Sequence, residues 1–308
     1  MAVASQGTNT TTLTILLGNG DGTFKPGVQY NVVDDLYSVA TADFNHDGNL
    51  DLVVADYLNG QVSVLMGNGD GTFQVAVSYP VPSGPQSVLV GDFNGDGWPD
   101  IAAVEDTLSC MCLSILLNNK NGTFGKMMDI TIPYPGAMAM TAGDFDGDGI
   151  LDIATTGWDS SFTTINILHG NGDGAFSFGA TYNGIFSEYI INADLRRDGV
   201  LDLIVANEQS PANVYVFLGN GDGTFAKPVG YDAFFPGGLA TADFNGDGKP
   251  DLVVADNTSP HSSVTVFLGN GDGTFQAAST YPVGKEANFV TVGDSTATGR
   301  RTLQSPTF

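Results

Sequence analysis

Basic residues are scarce in this 308-residue chain: 10 Lys and Arg stand against 34 Asp and Glu, a formal net charge of -24. A surface so acidic repels nucleic acid and attracts cations, so a nucleic-acid partner is excluded. Cysteine is nearly absent. Cys110 and Cys112 lie two residues apart, where strand side chains point the same way and a bridge is strained. Both therefore read as free thiols, and no disulfide framework holds the fold. No run approaches the ~18 apolar residues of a membrane span, which excludes membrane insertion. The opening MAVASQGTNT lacks a basic stretch followed by an apolar one, so no signal peptide is visible, and a mature or excised domain would look the same. No window sustains a 3.6-residue apolar period, so helical repeats are excluded as well.

What is abundant is Gly, 41 residues, alongside 42% hydrophobic content, enough apolar material for a large core. The glycines recur in order: LLGNGDGTF, LMGNGDGTF, LLNNKNGTF, LHGNGDGAF and two copies of FLGNGDGTF end at Phe24, Phe73, Phe124, Phe176, Phe225 and Phe275. A second series interleaves: DFNHDGNLD from Asp43, DFNGDGWPD from Asp92, DFDGDGILD from Asp144, DLRRDGVLD from Asp194 and DFNGDGKPD from Asp243, with an eroded DSTATGRRT from Asp294. Short β-branched runs such as LDLVVAD and SSVTVFLG lie between, four per period of roughly 50 residues. Four short strands per repeat, with sheet edges hidden by radial repetition, describe a propeller blade.

The expected fold is an all-β propeller of six four-stranded blades, with a seventh blade or a fragment of a longer array as alternatives. Residues 1–294 form one domain, with blades at about 36–86, 87–138, 139–188, 189–238 and 239–287 and a composite of 288–294 with 1–35. In that composite, NFVTVGD supplies strand one and MAVASQ strand two. Residues 295–308 read as an irregular tail; an extra strand there would argue for a longer array.

The nine-residue pattern D-x-[DN]-x-D-G-x-x-D gathers side-chain oxygens at positions 1, 3, 5 and 9 and a backbone carbonyl at position 7. Ca²⁺ takes six to eight such hard oxygens, and Gly at position 6 permits the turn that converges them. The predicted ligands are Asp43, Asn45, Asp47, Asn49 and Asp51; Asp92, Asn94, Asp96, Trp98 and Asp100; Asp144, Asp146, Asp148, Ile150 and Asp152; and Asp243, Asn245, Asp247, Lys249 and Asp251. An EF-hand would need Glu at position 12, where Val54, Ala103, Thr155 and Val254 stand instead. In the fourth copy Arg196 occupies position 3 among Asp194, Asp198 and Asp202, which makes these weak candidates: the guanidinium replaces the ion or swings out. About four strong Ca²⁺ sites are expected.

GNGDGTF, with its Asn-Gly and Asp-Gly steps, reads as a hairpin turn, and its Asp21, Asp70, Asp173, Asp222 and Asp272 are only weak metal candidates. The terminal Phe, and the Tyr six residues later at 30, 79, 182, 231 and 281, are expected to pack between blades.

DFNGDGxxDLVVA repeated with GNGDGTF resembles the FG-GAP or VCBS-type repeat of integrin α-subunit propellers and many secreted bacterial proteins, over roughly residues 1–294. The resemblance implies an extracellular or cell-surface protein whose metal loops join blade strands one and two and stabilise the ring. It leaves the ligand open between carbohydrate and an extracellular protein. Strand alternation places calcium loops and hairpins on one face and the variable 2-3 and 4-1 connections on the other, where binding loops belong. Candidate ligand contacts there are Tyr57, Trp158, Asp159, Phe162, Glu208 and His261. His46, His169 and His261 sit at unrelated repeat positions and no nucleophile-base spacing is visible, so the expectation is a binding protein, not an enzyme. A structural module of a larger surface protein, or a propeller-type polysaccharide lyase, is the alternative.

Overall fold

A computed structural model of the chain describes residues 2–6, 11–21, 23–30, 35–105, 112–125, 127–132, 137–158, 163–185, 187, 189–207, 214–256, 262–283, 287, 289–293 and 302–304. Every regular element among them is a strand. The N-terminal sheet holds β1 (Ala2–Gln6), β2 (Thr11–Ile15) and β3 (Val28–Tyr30). Blade one follows with β4 (Leu36–Ala42), β5 (Asp51–Asp56), β6 (Gln61–Leu65) and β7 (Val77–Pro80). Blade two is β8 (Pro85–Gly91), β9 (Asp100–Glu105), β10 (Cys112–Leu116) and β11 (Met128–Thr131). Blade three is β12 (Ala137–Gly143), β13 (Asp152–Trp158), β14 (Thr163–Gly170) and β15 (Phe176–Asn183). Blade four is β16 (Tyr189–Ala193), β17 (Asp202–Ala206), β18 (Val214–Phe217) and β19 (Val229–Tyr231). Blade five is β20 (Pro236–Ala242), β21 (Asp251–Asp256), β22 (Ser263–Phe267) and β23 (Ser279–Pro282), and a C-terminal pair joins β24 (Thr291–Gly293) to β25 (Thr302–Gln304).

Each blade is an antiparallel meander, and the first strands of successive blades neighbour one another, as they must around a propeller axis. The second strand is sandwiched between sheets, so it buries both faces. DLVVAD in β5 and β21 and DIAAVE in β9 are buried at every position, which is why these strands read as near-continuous apolar runs. The fourth strand is the solvent-facing edge: all of STYP in β23 is exposed. Six apolar clusters fill the gaps between successive sheets, from Leu13, Ile15 and Leu52 at one end to Val253, Val264 and Val290 at the other.

Two aromatic series close these gaps. The predicted Tyr of one sheet meets the hairpin Phe of the next: Tyr30 on Phe73, Tyr79 on Phe124, Tyr182 on Phe225 and Tyr231 on Phe275, with centroids 5.4 to 6.1 Å apart and near-perpendicular rings. The Phe at position 2 of loops one, two and three does the same, Phe44 on Phe124, Phe93 on Phe176 and Phe145 on Phe225, while loop four holds Leu195 there. Beside them the second residue of each hairpin motif seats over a glycine of the following sheet: Leu17 over Gly71, Met66 over Gly122, Leu117 over Gly174 and Leu218 over Gly273. A Cβ on any of these glycines would lie 2.4 to 2.9 Å from the seated side chain, so the glycine that closes the hairpin is needed for blade contact as well as for its turn.

The composite blade differs in detail from expectation. β24 and β25 pair Gly293 with Thr302, the nine-residue register in which Ala42 meets Asp51. The segment read as an irregular tail thus contains a second strand in regular register, and β24 takes β25, not β1, as its partner. The eroded loop hid this strand, because Thr296, Thr298 and Thr302 stand at positions 3, 5 and 9 and Ala297 at position 4, leaving only Asp294 and Gly299 of the signature.

Candidate metal centre and ligand face

All five Asp-rich loops lie between strands one and two of their blades. Their geometry comes from carboxylates capping backbone N–H groups. The position 9 Asp is fully buried and joins two loops: Asp51 accepts from Phe44 N at 2.8 Å and from the hairpin's Gly67 N at 2.7 Å. Asp100, Asp152, Asp202 and Asp251 repeat this pair of bonds at 2.8 to 3.1 Å. The position 1 Asp accepts from the position 6 Gly N, as Asp43 does from Gly48 at 2.8 Å. The position 5 Asp accepts from the position 7 N–H, as Asp47 does from Asn49, Asp96 from Trp98, Asp148 from Ile150 and Asp247 from Lys249 at 2.8 to 3.0 Å. The position 3 Asn45 and Asn245 accept from the position 5 N–H of Asp47 and Asp247 at 3.0 and 2.8 Å.

The electrostatics of a loop are therefore divided. Hydrogen bonds from Asn49 and Lys249 N–H groups hold Asp47 and Asp247 below the usual carboxylate range. Burial pushes Asp51, Asp152 and Asp202 up, and pushes Asp100 up to about 6, against the hydrogen bonds that oppose it. Asp43 and Asp47 add repulsion to Asp51, and Asp92 and Asp96 to Asp100. Such a group of hard oxygens gathers more negative charge than a single nearby side-chain cation offsets, and the donor set suits Ca²⁺.

The chain's own cations mark the same place. In loop four Arg196 folds inward, its Nη2 donating to Asp202 Oδ1 at 3.0 Å and to Gly219 O at 2.7 Å, with Nη1 3.2 Å from Asp198 Oδ2. Of the two outcomes open for Arg196, the side chain does not swing out: its guanidinium lies among the carboxylates of the loop. Lys120 Nζ lies 3.3 Å from Asp96. In loop three, where every acidic position is Asp, Asp144, Asp146 and Asp148 each bring an oxygen within 4.8 Å of one another. There the imidazole of His169 approaches Asp146 and Asp152. Sequence reasoning passed over His169 as unrelated to any site; its signal was a His where the other copies hold Leu or Met. Position 4 of each loop needs a left-handed backbone, supplied by Gly95, Gly147 and Gly246 and by the strained His46 and Arg197, both at φ 56°. His46 also stacks on Trp98 of the next loop at 3.9 Å.

The hairpin Asp residues behave as turn formers: Asp21, Asp70, Asp222 and Asp272 each accept from the Thr two residues on.

On the opposite face, Tyr57 lies against the exposed Tyr37 with centroids 4.8 Å apart and ring planes tilted by 31°, beside Leu58, which is 68% exposed. Phe234 and Phe235 are exposed just ahead of β20, and Phe235 holds a strained φ of 40°. Trp158 ends β13, while Asp159, Phe162, Glu208 and His261 lie outside the described residues. The sequence reading missed Glu105, fully buried at the end of β9 on this face. Ser114 and Ser83 donate to it, and burial pushes it up to about 7.

A family model described as FG-GAP-like repeat matches residues 1–54, 43–103, 109–155, 194–254 and 243–300. No curated protein matches the chain. Among solved structures, a lectin from Agrocybe aegerita, described as specifically recognising non-reducing terminal N-acetylglucosamine, superposes with a TM-score of 0.59 at 19% identity, covering 99% of this chain and 84% of that one. The periplasmic gluconolactonase PpgL of Pseudomonas aeruginosa superposes with a TM-score of 0.66 at 17% identity, over 92% of this chain and 80% of that one. The second likeness corrects the expectation of a non-enzyme: this propeller fold carries an enzyme, so the lack of a recognisable catalytic spacing does not set the chain apart from enzymes.

Proposed function

The chain belongs to the FG-GAP-like repeat family, and from that premise we propose that it is an extracellular or cell-surface propeller, residues 1–294, whose strand-one-to-two loops bind Ca²⁺ and whose opposite face recognises carbohydrate. The calcium part rests on the donor set. Loops one, two, three and five each offer three or four side-chain oxygens plus the carbonyls of Asn49, Trp98, Ile150 and Lys249. Bound Ca²⁺ supplies the countercharge that the buried Asp51, Asp100 and Asp152 lack. In loop four Arg196 supplies it.

The carbohydrate part rests on one observation, the adjoining tilted rings of Tyr37 and Tyr57 beside an exposed turn. Aromatic faces offer the flat apolar platform on which a sugar ring's C–H face packs. Trp158, Asp159, Phe162, Glu208 and His261 fall in chain order at the corresponding connections of blades three to five and are proposed as further ligand contacts. The lectin likeness agrees with this reading. A glycan array on the calcium-loaded chain tests it: binding that Tyr57→Ala weakens about tenfold or more is the expected result. Silence on the array together with a defined protein partner would replace the sugar with a protein ligand. Turnover of a sugar lactone or polysaccharide would move the site to catalysis, with Glu105 the first residue to substitute.

A further inference from the structure

We propose that blade three carries a cation site of different chemistry from its neighbours: the loop that would take Ca²⁺ through its oxygens under the reading above binds, in preference to Ca²⁺, a borderline first-row divalent cation of the Zn²⁺ type through Asp146, Asp152 and His169. The second residue of the hairpin motif is Leu17, Met66, Leu117, Leu218 and Leu268 in five copies and His169 in one. In the described copies that residue seats over a glycine of the next sheet, and His169 keeps the place: a Cβ on Gly223 would lie 2.0 Å from its Cε1. Seating alone needs only an apolar side chain. The imidazole adds a nitrogen for which packing has no use.

That nitrogen is aimed into the loop. His169 Nδ1 lies 3.3 Å from Asp146 Oδ2 and 3.7 Å from Asp152 Oδ1. It is shielded from solvent and yet has no hydrogen-bond partner, one of three such side-chain atoms among the described residues. It is near both carboxylates and aligned with neither, as ligands around a common centre are. With metal bonds of about 2.0 to 2.1 Å, neighbouring ligands of a tetrahedron stand about 3.4 Å apart, close to both separations. The three donor atoms lie within 4.8 Å of one another. The glycine seat fixes the ring's orientation, which a ligating His requires.

The donor set decides the metal class. Ca²⁺ takes oxygen and gains nothing from imidazole, whereas Zn²⁺ and its first-row neighbours bind imidazole with carboxylate well. Loop three is thus the one loop of five with a nitrogen donor facing two of its carboxylates among the described residues. The competing arrangement is a direct pairing of His169 with Asp146 and Asp152 and no metal, as Arg196 pairs with its carboxylates in loop four.

The test is calorimetric titration of the full chain with Zn²⁺ in excess Ca²⁺, which fills the all-oxygen loops, compared with His169→Leu. Leu stands at this position in four other copies, so the variant keeps its seat over Gly223. We expect one Zn²⁺ per chain, bound at least tenfold more tightly by the native chain than by the variant. With Co²⁺ as the probe, we expect a visible absorption band that the variant loses. Identical titrations for the two proteins, or no Zn²⁺ binding at all, overturn the proposal. The proposal does not depend on calcium stabilising the ring: a chain that melts unchanged in chelator but binds one Zn²⁺ through His169 would defeat the calcium reading and leave this one standing.

Discussion

Glu105 is a carboxyl group enclosed in the blade, with no basic partner in its hydrogen-bond set. Burial comes first among the causes that raise it from 4.5 to about 7, Ser114 and Ser83 oppose the rise, and the nearby Asp129 adds to it. A raised folded-state value means that the fold retains a proton the unfolded chain releases, so this residue lowers stability progressively as pH climbs from about 4.5 to about 7 and no further above that. The loss by pH 8 is roughly 3 kcal/mol. Glu105→Gln keeps the size and the polar partners without the ionisation. Its urea midpoint should therefore match the native chain at pH 5 and exceed it at pH 8. A variant weaker at both pH values would mean that the ionised carboxylate is stabilising. The sequence signalled this residue only faintly, as a longer acid ending DIAAVE where DLVVAD ends in Asp56 and Asp256; nothing in the chain order reveals that Ser83 and Ser114 enclose it. Arg196 was more legible, because one basic residue inside an acidic nine-residue pattern has few places to go.

At the scale of strands and hairpins, the aromatic contacts between blades could be read from spacing, since a Tyr six residues after the hairpin Phe returns in every repeat except the one ending at Phe124, where Ile130 stands. Which contact is missing could not be read. Tyr231 packs on Phe275 at 5.4 Å and Phe267 at 5.9 Å, and its hydroxyl accepts from Phe275 N at 3.1 Å. Tyr281 holds the same position in blade five, yet it is 55% exposed, and among the described residues no ring lies against it. Its partner would come from the sheet that follows, where the terminal strands depart from the repeat. Tyr231→Ala removes a half-buried ring and leaves a backbone donor without its acceptor, at a cost of about 3 kcal/mol. Tyr281→Ala should cost less than about 1 kcal/mol. Equal losses in denaturant midpoint would show that Tyr281 has a partner in solution. The extra strand β25 escaped the sequence for a related reason: a three-residue strand after an eroded turn carries almost no periodic signal.

For the whole molecule the governing quantity is the net charge of -24, concentrated in loops on one face. Folding brings buried carboxylates together at Asp51, Asp100 and Asp152, and repulsion among them opposes closure of every blade that carries such a loop. Under the proposed calcium reading, Ca²⁺ at about 1 mM, bound with a Kd on the order of 0.1 mM, would contribute roughly 1.4 kcal/mol per site and about 6 kcal/mol over four. That is comparable to the total stability of many domains, about 5 to 15 kcal/mol. Four ions would also bring the net charge from -24 to -16, at two units per ion. Chelation with EDTA should therefore lower the melting temperature by about 10 to 20 °C at pH 7.5. Loop four supplies an internal comparison, because Arg196 already neutralises Asp198 and Asp202 and its blade should not respond to the ion. Arg196→Asn restores the oxygen donor that loops one, two and five hold at position 3. The variant should bind one more Ca²⁺ per chain than the native protein and lose more on chelation. An unchanged melting curve in EDTA would sink the calcium assignment, and an unchanged stoichiometry in Arg196→Asn would show that Arg196 is not what keeps the ion out of loop four.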